Sequence, residues 1–425
     1  MSKMSLRKFV NKIDNKNCLK RVSKEVDPYL EVARTLRENE GSVVLFERVK
    51  NSDYRIIGGI CSSRDNFSLA IGCKREGLLQ KIIDAVDSPR DVEIVKRGSC
   101  QEVVERDVNL YKIPILTYTS EDMGSYITSG VFIANDTEFG YNMSFHRASP
   151  ISKDRLVARI CQRDLYRYME RSKKDLSVSI CIGLDPSVLL AAAISIDIKT
   201  NELEIANSLS PLKLVRCKTN DLLVPADSEI VLEGRITREK HIEGPFLDIT
   251  RTYDTAREEP VIEIDCITHR RNPIYQALLP ASREHELLMG MPREPVIYRK
   301  VNEICKCRDV ILTHGGCSWL HGIVKIDKKN AGDGKKAINA AFEAHPSMKH
   351  VIIVDDDIDI HKLEEVEWSI ATRFQAGRDL VMKRERGSSL DPSADDDRMT
   401  YKIGLDATIP WDIDIEKFKK IELGK

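Results

Sequence analysis

The chain has 425 residues, more than one ordinary hydrophobic core accommodates, so two or three domains are expected. Lys and Arg number 66 and Asp and Glu 67, and this balance argues against binding to nucleic acid or to an anionic membrane surface. No stretch approaches the ~20 apolar residues of a membrane span or forms a secretory signal, and the eleven cysteines lack a CxxC pair, so a cytoplasmic protein with reduced thiols is expected.

The first part of the chain alternates between helical and strand-like patterns. Helical spacing covers 30–38 and 78–86, and a strand pattern covers 42–49. The second helix is expected to end before Ser88-Pro89, because a residue that precedes proline disfavours helical backbone angles. These elements predict an N-terminal α/β segment over 1–97.

The middle of the chain, 98–290, is rich in short strand patterns separated by turn signals. One helix is predicted over 165–172, with Asp164 as its N-cap. Strands at this density favour a barrel or a sandwich. The predicted strands are 131–134, 156–161, 230–236 and 261–268.

The last part, 291–425, returns to alternating strands and helices, which is typical of a layered α/β sheet. The predicted elements are a strand at 310–314, a helix at 334–343, a strand at 351–354 and a helix at 363–373.

Several familiar motifs are absent or incomplete. Gly332-Asp-Gly-Lys-Lys has the wrong spacing for a phosphate loop, and Glu284-His285-Glu286 is not the HExxH of a zinc protease. The acidic run at 355–359 follows an apolar strand, where an acidic turn is commoner than a metal site. No GxGxxG supports a dinucleotide site.

Three segments of the middle region combine metal-ligating and charged side chains: 140–147, 156–166 and 242–248. Each is weak alone. An Asn and an Arg five residues apart are usually surface residues, and Glu-Gly-Pro-Phe is usually only a turn.

In their order and spacing these segments resemble the UbiD family of reversible decarboxylases. Asn142-Met-Ser-Phe-His-Arg147 is similar to the family's segment from a metal-binding Asn to a catalytic Arg, and Glu243-Gly-Pro-Phe-Leu-Asp248 is similar to its EGPFGE-type segment. The phrases at 221–234 and 355–359, followed by Arg373, also resemble the family.

The resemblance implies a divalent metal bound by Asn142, Asp164 and Glu202. The family usually has His where this chain has Asp164. An all-oxygen set fits Mg²⁺ or Mn²⁺ rather than zinc, and K⁺ is a further candidate. The alternative is that Asp164 is only the cap of its helix.

The cofactor that the resemblance implies is prenylated FMN, made by a separate flavin prenyltransferase. A divalent ion would offset the charge of its buried phosphate, and Arg163 could add a bidentate phosphate contact. The implied cofactor-binding residues are Asn142, Ser144, Phe145, His146, Arg147, Gln162 and Arg163.

Arg147, Glu243 and Asp248 are implied to form the catalytic ionic network. Arg147 would hold the substrate carboxylate and keep Glu243 ionised. Asp248 would deliver a proton to the carbon that loses CO₂. Intact charges at these positions argue against a non-catalytic flavin-binding protein, which is the rival from another functional class.

For the fold, the resemblance implies the α/β segment 1–97, a split β-barrel that binds the flavin over 98–290, and a C-terminal α/β domain for self-association over 291–425. A homo-oligomer, dimeric or hexameric, is expected.

The phrase from Pro280 to Pro295 resembles the archaeal-type branch of the family, which acts in isoprenoid synthesis. The implied substrate is a small unsaturated carboxylic acid, trans-anhydromevalonate 5-phosphate, with Arg283 and His285 as candidate cations for its phosphate. The alternative is an aromatic acid of the 4-hydroxybenzoate type from quinone biosynthesis.

Overall fold

The computed structural model describes residues 4–418 and 420–421. The chain divides into two compact units, 1–288 and 289–425. The further boundary at residues 97 and 98 stays a prediction. Within the described ranges, no helix combines the length and the apolar character that crossing a bilayer demands.

The helices and strands of the first unit alternate only at its start, after which strands dominate. The helices are α1 (Leu6–Asn15), α2 (Glu31–Glu38), α3 (Arg64–Ile71), α4 (Leu78–Asp87), α5 (Asp164–Arg171), α6 (Pro186–Ala192), α7 (Glu202–Leu209) and α8 (Arg283–Gly290), which ends just past the unit. The strands are β1 (Leu19–Val26), β2 (Val43–Val49), β3 (Arg55–Gly58), β4 (Glu93–Val95), β5 (Val103–Glu105), β6 (Val131–Asp136), β7 (Gly140–Phe145), β8 (Ala148–Pro150), β9 (Arg155–Ala158), β10 (Leu176–Ile182), β11 (Lys213–Arg216), β12 (Leu223–Pro225), β13 (Ile230–Glu243), β14 (Phe246–Leu247), β15 (Tyr253–Asp254), β16 (Arg257–His269) and β17 (Ile274–Gln276).

The largest sheet of the first unit is antiparallel and has the strand order β7-β6-β10-β13-β16-β9-β8, with β5 also paired to β16. Its edge strands β7 and β8 are separated in the chain by His146 and Arg147 alone. Two edges joined by so short a link require the sheet to curl back on itself. Among the described residues no backbone ladder joins the two edges, so the fold is mixed α/β with several open sheets.

The core of this unit lies against the curled sheet. Alternate residues of β10, Val178, Ile180 and Ile182, enter it as the two-residue period of a strand requires, and Leu232 and Ile262 from the neighbouring strands join them. The smaller sheets follow the orders β1-β2-β3-β17 and β12-β11-β4, and β14 pairs with β15 as a hairpin.

The second unit is a five-stranded mixed sheet of order β18-β19-β20-β22-β21. Neighbouring residues Ile352 and Ile353 of its central strand are both buried, one in each of two cores, so helices cover both faces. Its elements are α9 (Glu294–Asn302), α10 (Asp333–Ala344), α11 (Leu363–Arg373), α12 (Ala376–Asp379), β18 (Lys306–Leu312), β19 (His321–Asp327), β20 (His350–Asp355), β21 (Leu380–Arg386) and β22 (Met399–Asp406).

The predicted elements agree with the observed ones where apolar periodicity is strong. The helix predicted at 363–373 coincides with α11, whereas the strand predicted at 156–161 ends at Ala158. Asp164 is not the N-cap of α5: Arg163 is, and Asp164 is the first helical residue, so its carboxylate is available for another role. Helices α6 and α7 were not predicted.

The first turn of α8 is fixed to the loop after β3. The buried carboxylate of Glu284 accepts hydrogen bonds from the backbone N–H groups of Gly59, at 2.8 Å, and Cys61, at 3.0 Å. Gly59 has a φ of +80°, and a Cβ atom there would lie 1.9 Å from the carbonyl oxygen of Ser42. The backbone at Gly59 therefore has no room for a side chain.

The first prediction compares two glycines that share a left-handed backbone. Gly41 has a φ of +87°, and a Cβ atom added there would meet no described atom within 4 Å, so Gly41→Ala should cost only the conformational strain, about 1–2 kcal/mol. Gly59→Ala should lower the melting temperature distinctly further, because the methyl group also displaces the Ser42 backbone. Equal melting temperatures for the two variants would show that the close approach is not a constraint.

Candidate active site

Arg147 and Glu243 form a largely buried ion pair in the first unit. Arg147 lies in the two-residue link between β7 and β8, and Glu243 is the last residue of β13. The contact is bidentate, with Nε donating to Oε1 at 2.7 Å and Nη2 to Oε2 at 3.0 Å. Burial lowers the pKa of the Arg147 guanidinium, but the hydrogen bond and charge of Glu243 outweigh it, and the pKa is raised overall.

The segment after Glu243 is more than a turn. Gly244, with a φ of +91°, donates its N–H to the hydroxyl of Tyr126 at 3.1 Å. The ring of Phe246 lies 4.4 Å from the ring of Tyr126 and 4.9 Å below the guanidinium of Arg147. The Glu-Gly-Pro-Phe segment therefore supplies a charge partner and an aromatic support to the same arginine.

Asp254 completes the network, although no sequence pattern predicted it. Arg147 Nη2 donates to its Oδ2 at 2.9 Å, and its Oδ1 is paired with Arg257. Arg159 lies 3.9 Å from Asp254 and donates to Glu259 at 2.5 Å. No motif marks Asp254, because it lies in a polar stretch and reaches Arg147 only through the β14–β15 hairpin.

Asp248 lies in the turn of that hairpin. Its Oδ1 accepts the N–H of Ile249 at 2.6 Å, and its backbone N–H donates to the carbonyl of Thr252 at 2.9 Å. Within the described residues it makes no ion pair with Arg147, whose Nη1 also donates no hydrogen bond to them. The predicted network is thus an Arg147–Glu243 pair, with Asp248 on an adjoining turn.

A second polar cluster forms along one face of β7. Asn142, Ser144 and His146 are spaced two residues apart, so their side chains share a face. Ser144 Oγ lies 2.9 Å from Asn142 Oδ1 and 3.1 Å from His146 Nε2. On the far side, Asn142 Nδ2 donates to Glu202 Oε1 at 3.3 Å, and the N–H of Met143 donates to Glu202 Oε2 at 3.0 Å.

In the row formed by Asn142, Ser144 and His146, two acceptor atoms compete for one hydroxyl proton, so one of them is left without a donor from the row. His146 Nδ1 lies 3.1 Å from the carbonyl of Arg159, which can only accept, so Nδ1 carries the proton. Burial lowers the pKa of His146 to about 4, so the ring is neutral and Nε2 is an acceptor. The single Ser144 proton can then serve either His146 Nε2 or Asn142 Oδ1. If it serves the histidine, Asn142 Oδ1 is available to a cation.

Glu202 and Asp164 bring two carboxylates to this cluster. Burial raises the pKa of Glu202 to about 8, with a further contribution from Asp164, and burial also raises the pKa of Asp164. Burial raises the pKa of the Tyr168 hydroxyl, and the charges of Glu202 and Asp164 raise it further. This hydroxyl has no hydrogen-bond partner within the described residues. This all-oxygen set fits a hard divalent cation, which would offset the repulsion between the carboxylates.

The remaining predicted cofactor contacts are more exposed. Gln162 and Arg163 lie on the surface just before α5, and Phe145 is half-buried at the end of β7. The described residues contain no cluster of three His, Cys, Asp or Glu arranged for a metal. The predicted metal ligands Asn142, Asp164 and Glu202 are not such a cluster, because they comprise one amide and only two carboxylates. The structure brings two of them, Asn142 and Glu202, into direct contact.

Three family models match the chain in order. They are the N-terminal domain of 3-octaprenyl-4-hydroxybenzoate carboxy-lyase (UbiD) over residues 10–86, its Rift-related domain over 93–283 and its C-terminal domain over 286–407.

Similar proteins match over almost the whole chain. An anhydromevalonate phosphate decarboxylase of Methanothermobacter thermautotrophicus is 43% identical, with 98% of this chain and 99% of the relative covered. The structure of the UbiD-class enzyme HmfF from Pelotomaculum thermopropionicum in complex with FMN has a TM-score of 0.96 at 40% identity, covering 99% and 98%. An evolved dimeric form of HmfF in complex with prFMN has a TM-score of 0.91 at 38% identity, covering 99% and 97%.

The charge network generates the second prediction. Asp254→Asn should destabilise the protein by about 1–3 kcal/mol, because it leaves Arg147, Arg159 and Arg257 close together with less negative charge between them. The matched control is Asp221→Asn, which breaks an exposed pair with Arg216 and should cost less than about 1 kcal/mol. Thermal and urea unfolding measure both, and equal costs would mean that Asp254 is not part of a cooperative network.

Proposed function

This chain belongs to the UbiD family of carboxy-lyases, and from that premise we propose that its substrate is trans-anhydromevalonate 5-phosphate, an intermediate of a modified mevalonate route to isoprenoids. The observation that carries the proposal is the buried Arg147–Glu243 pair beside the Asp248 turn, in a chain that matches decarboxylases of that name from end to end. The protein would act in the cytoplasm as a homo-oligomer.

The proposed cofactor is prenylated FMN, obtained from a separate flavin prenyltransferase. It is supported by the similar HmfF structures, which hold FMN and prFMN. When bound, this cofactor supplies the electron sink that decarboxylation needs, since no side chain stores an electron pair well. The polar face of β7, with Asn142, Ser144 and His146, would hold it in a split β-barrel formed by the curled sheet, and the exposed Gln162 and Arg163 are further proposed contacts.

The proposed metal is Mn²⁺ or Mg²⁺ at Asn142, Asp164 and Glu202. It is supported by the carboxylates of Glu202 and Asp164 and by Asn142, whose Oδ1 is available to a cation when Ser144 donates to His146. Its charge would compensate both the carboxylates and the phosphate of the cofactor.

The charged residues have separate tasks in the proposed reaction. Arg147 binds the substrate carboxylate through Nη1, and Glu243 holds the guanidinium in place and keeps it fully charged. The bond from carbon to the carboxyl group breaks and CO₂ leaves. Asp248 then transfers a proton to that carbon, forming a C–H bond, and regains a proton from solvent, so no net oxidation occurs.

The third prediction tests the substrate. Protein produced together with a flavin prenyltransferase should release CO₂ from trans-anhydromevalonate 5-phosphate with a higher kcat/KM than from its dephosphorylated form or from 4-hydroxybenzoate. Binding energy at the phosphate is remote from the reacting carbon, so its removal should lower kcat as well as raise KM. A higher kcat/KM for 4-hydroxybenzoate would instead support the quinone-pathway alternative, which the description of the matching family models favours.

The fourth prediction tests the metal with a matched pair of glutamates. Glu202 and Glu204 both lie in the first turn of α7, so both experience the same helix terminus. Glu202→Gln should copurify with less metal and less flavin, because each offsets the charge of the other. Glu204 hydrogen-bonds to Asn201 instead, so Glu204→Gln should retain both.

The metal content is measured by elemental analysis and the flavin by its absorbance. Full occupancy of both in Glu202→Gln would remove Glu202 from the proposed ligand set.

A further inference from the structure

Three arginines of the first unit meet at one carboxylate. Asp254 Oδ2 accepts a hydrogen bond from Arg147 Nη2 at 2.9 Å and lies 3.9 Å from Arg159 Nε. The other oxygen, Asp254 Oδ1, accepts a hydrogen bond from Arg257 Nη2. Like charges repel, so neighbouring guanidiniums need acids or a bound anion to offset them. Only Arg147 has a task in the proposed reaction, and the other two arginines are without one.

Pairing within the curled sheet brings these arginines together. Arg159 directly follows β9 and donates its backbone N–H to the carbonyl of Arg147 at 3.0 Å, so the two residues lie opposite each other on neighbouring strands. In the same way, Arg257 at the start of β16 is paired with Glu243 at the end of β13. Side chains of directly opposed residues share one face of a sheet. Because Glu243 also binds Arg147, the two pairs meet in one cluster.

Each guanidinium is held by an acid and still has unused donors. Arg159 Nη1 donates to Glu259 at 2.5 Å, and Arg257 Nη2 is bound to Asp254. Within the part of the chain that the structure describes, the nitrogens that donate no hydrogen bond are Arg147 Nη1, Arg159 Nη2 and Arg257 Nη1. The N–H groups of a guanidinium form a rigid planar fork that matches the oxygens of a phosphate. The acids therefore fix the arginines in position and leave an NH₂ group of each for a ligand.

The three arginines differ in exposure. The exposed fraction of the side chain is 13% for Arg147, 25% for Arg159 and 31% for Arg257. Arg159 and Arg257 are thus accessible to an anionic group from solvent, while both contact the same carboxylate as Arg147. A ligand with two anionic groups can engage Arg147 with one group and the two more exposed arginines with the other.

The cations that the sequence suggested for a substrate phosphate are less suitable. Burial lowers the pKa of His285, so its ring is neutral near pH 7, and its Nδ1 accepts the N–H of Ala281 at 3.2 Å. Arg283 is exposed, and its backbone N–H, rather than its guanidinium, is bound to Glu40. Neither residue belongs to the arginine cluster around Asp254.

We propose that Arg159 and Arg257 bind the phosphate of the substrate while Arg147 binds its carboxylate. The inference rests on the proposed decarboxylase function and deepens it, because it assigns the group by which a phosphorylated acid differs from an unphosphorylated one. A phosphate monoester carries close to two negative charges at neutral pH. Two guanidiniums with unused NH₂ groups match both its charge and its oxygens.

The fifth prediction removes each arginine without leaving its acid unpaired. Arg257→Gln leaves Asp254 bonded to Arg147, and Arg159→Gln is combined with Glu259→Gln, so that two amides replace that ion pair. Either change should lower kcat/KM for trans-anhydromevalonate 5-phosphate roughly tenfold to hundredfold, as expected for lost hydrogen bonds to a charged group. The value of kcat/KM for the dephosphorylated acid should stay the same. A purely structural role would lower both values together.

Two further variants serve as controls. Glu259→Gln alone should retain the preference for the phosphorylated acid, because Arg159 keeps its charge. Arg235→Gln removes another arginine of the same sheet, one that donates to Asp265 at 2.7 Å, and should change kcat/KM for neither acid. Equal losses for both acids in Arg257→Gln and in Arg159→Gln/Glu259→Gln would overturn the proposal.

A measurement independent of turnover uses butyl phosphate, a phosphate monoester without a carboxylate. Titration calorimetry on the flavin-loaded protein should show that Arg257→Gln and Arg159→Gln/Glu259→Gln each weaken its binding roughly tenfold or more, whereas Arg235→Gln does not. Equal affinity of the wild type and both variants for butyl phosphate would contradict the assignment of these arginines.

The flavin content distinguishes the substrate from the cofactor, whose phosphate has the same chemistry. Both variants should copurify with as much flavin as the wild type, because the cofactor phosphate is proposed to lie at the metal. Loss of flavin from both would assign the arginines to the cofactor and overturn the proposal. If the wild type decarboxylates none of the candidate acids yet binds butyl phosphate through these arginines, the proposed function fails and the phosphate site stands.

Discussion

The buried Arg147–Glu243 pair is the interaction on which the rest of the site depends. Glu243 is fully buried, and a carboxylate without a partner in that position would cost several kcal/mol. Removing either member leaves the other charged and out of water, whereas together they satisfy each other through two parallel hydrogen bonds. The pair therefore constrains both segments that carry it.

Those segments belong to opposite parts of the curled sheet. Glu243 ends the long strand β13 near the middle of the strand order, while Arg147 occupies the link between the edge strands β7 and β8. The ion pair can form only if the link comes back over the end of β13, which is what the curled sheet provides. The ring of Phe246 packs against the guanidinium, and the ring of Tyr126 packs against Phe246, so aromatic side chains cover one side of the ion pair.

Local sequence patterns predicted much of this fold and only part of the site. Periodic apolar residues located α11 correctly, and the same signal found only the apolar start of β13, because the strand continues through a polar, exposed stretch to Glu243. Arg147 and Glu243 were found because their surrounding phrases resemble a family. Asp254 was missed because its partner is 107 residues away and only tertiary structure joins them. Asp164 was misplaced as a helix cap, since capping residues and first-turn acids look alike in sequence.

In the second unit, too, the sequence did not show which charged residues pair with each other. The acidic run after β20 suggested either a turn or a cation site, and the structure supplies a cation from within the chain. The buried guanidinium of Arg373 donates to Asp355 at 3.0 Å and to Asp357 at 2.6 Å. Both the acids and Arg373 were visible in the sequence, but Asp355 and Arg373 are 18 positions apart and no local pattern shows that they pair.

Strand β7 joins the two halves of the candidate site through its alternation. Asn142, Ser144 and His146 form one hydrogen-bonded row on one face, and the next residue, Arg147, points to the charge network. The pairing of Ala134 with Asn142 and of Phe132 with Ser144 fixes this register. A slip of one residue would exchange the two faces of β7, turning Met143 towards the carboxylates and Asn142 to the face that Met143 now shares with Ile133. The pairing of β7 with β6 therefore fixes both the position of the proposed metal and cofactor contacts and the direction of Arg147.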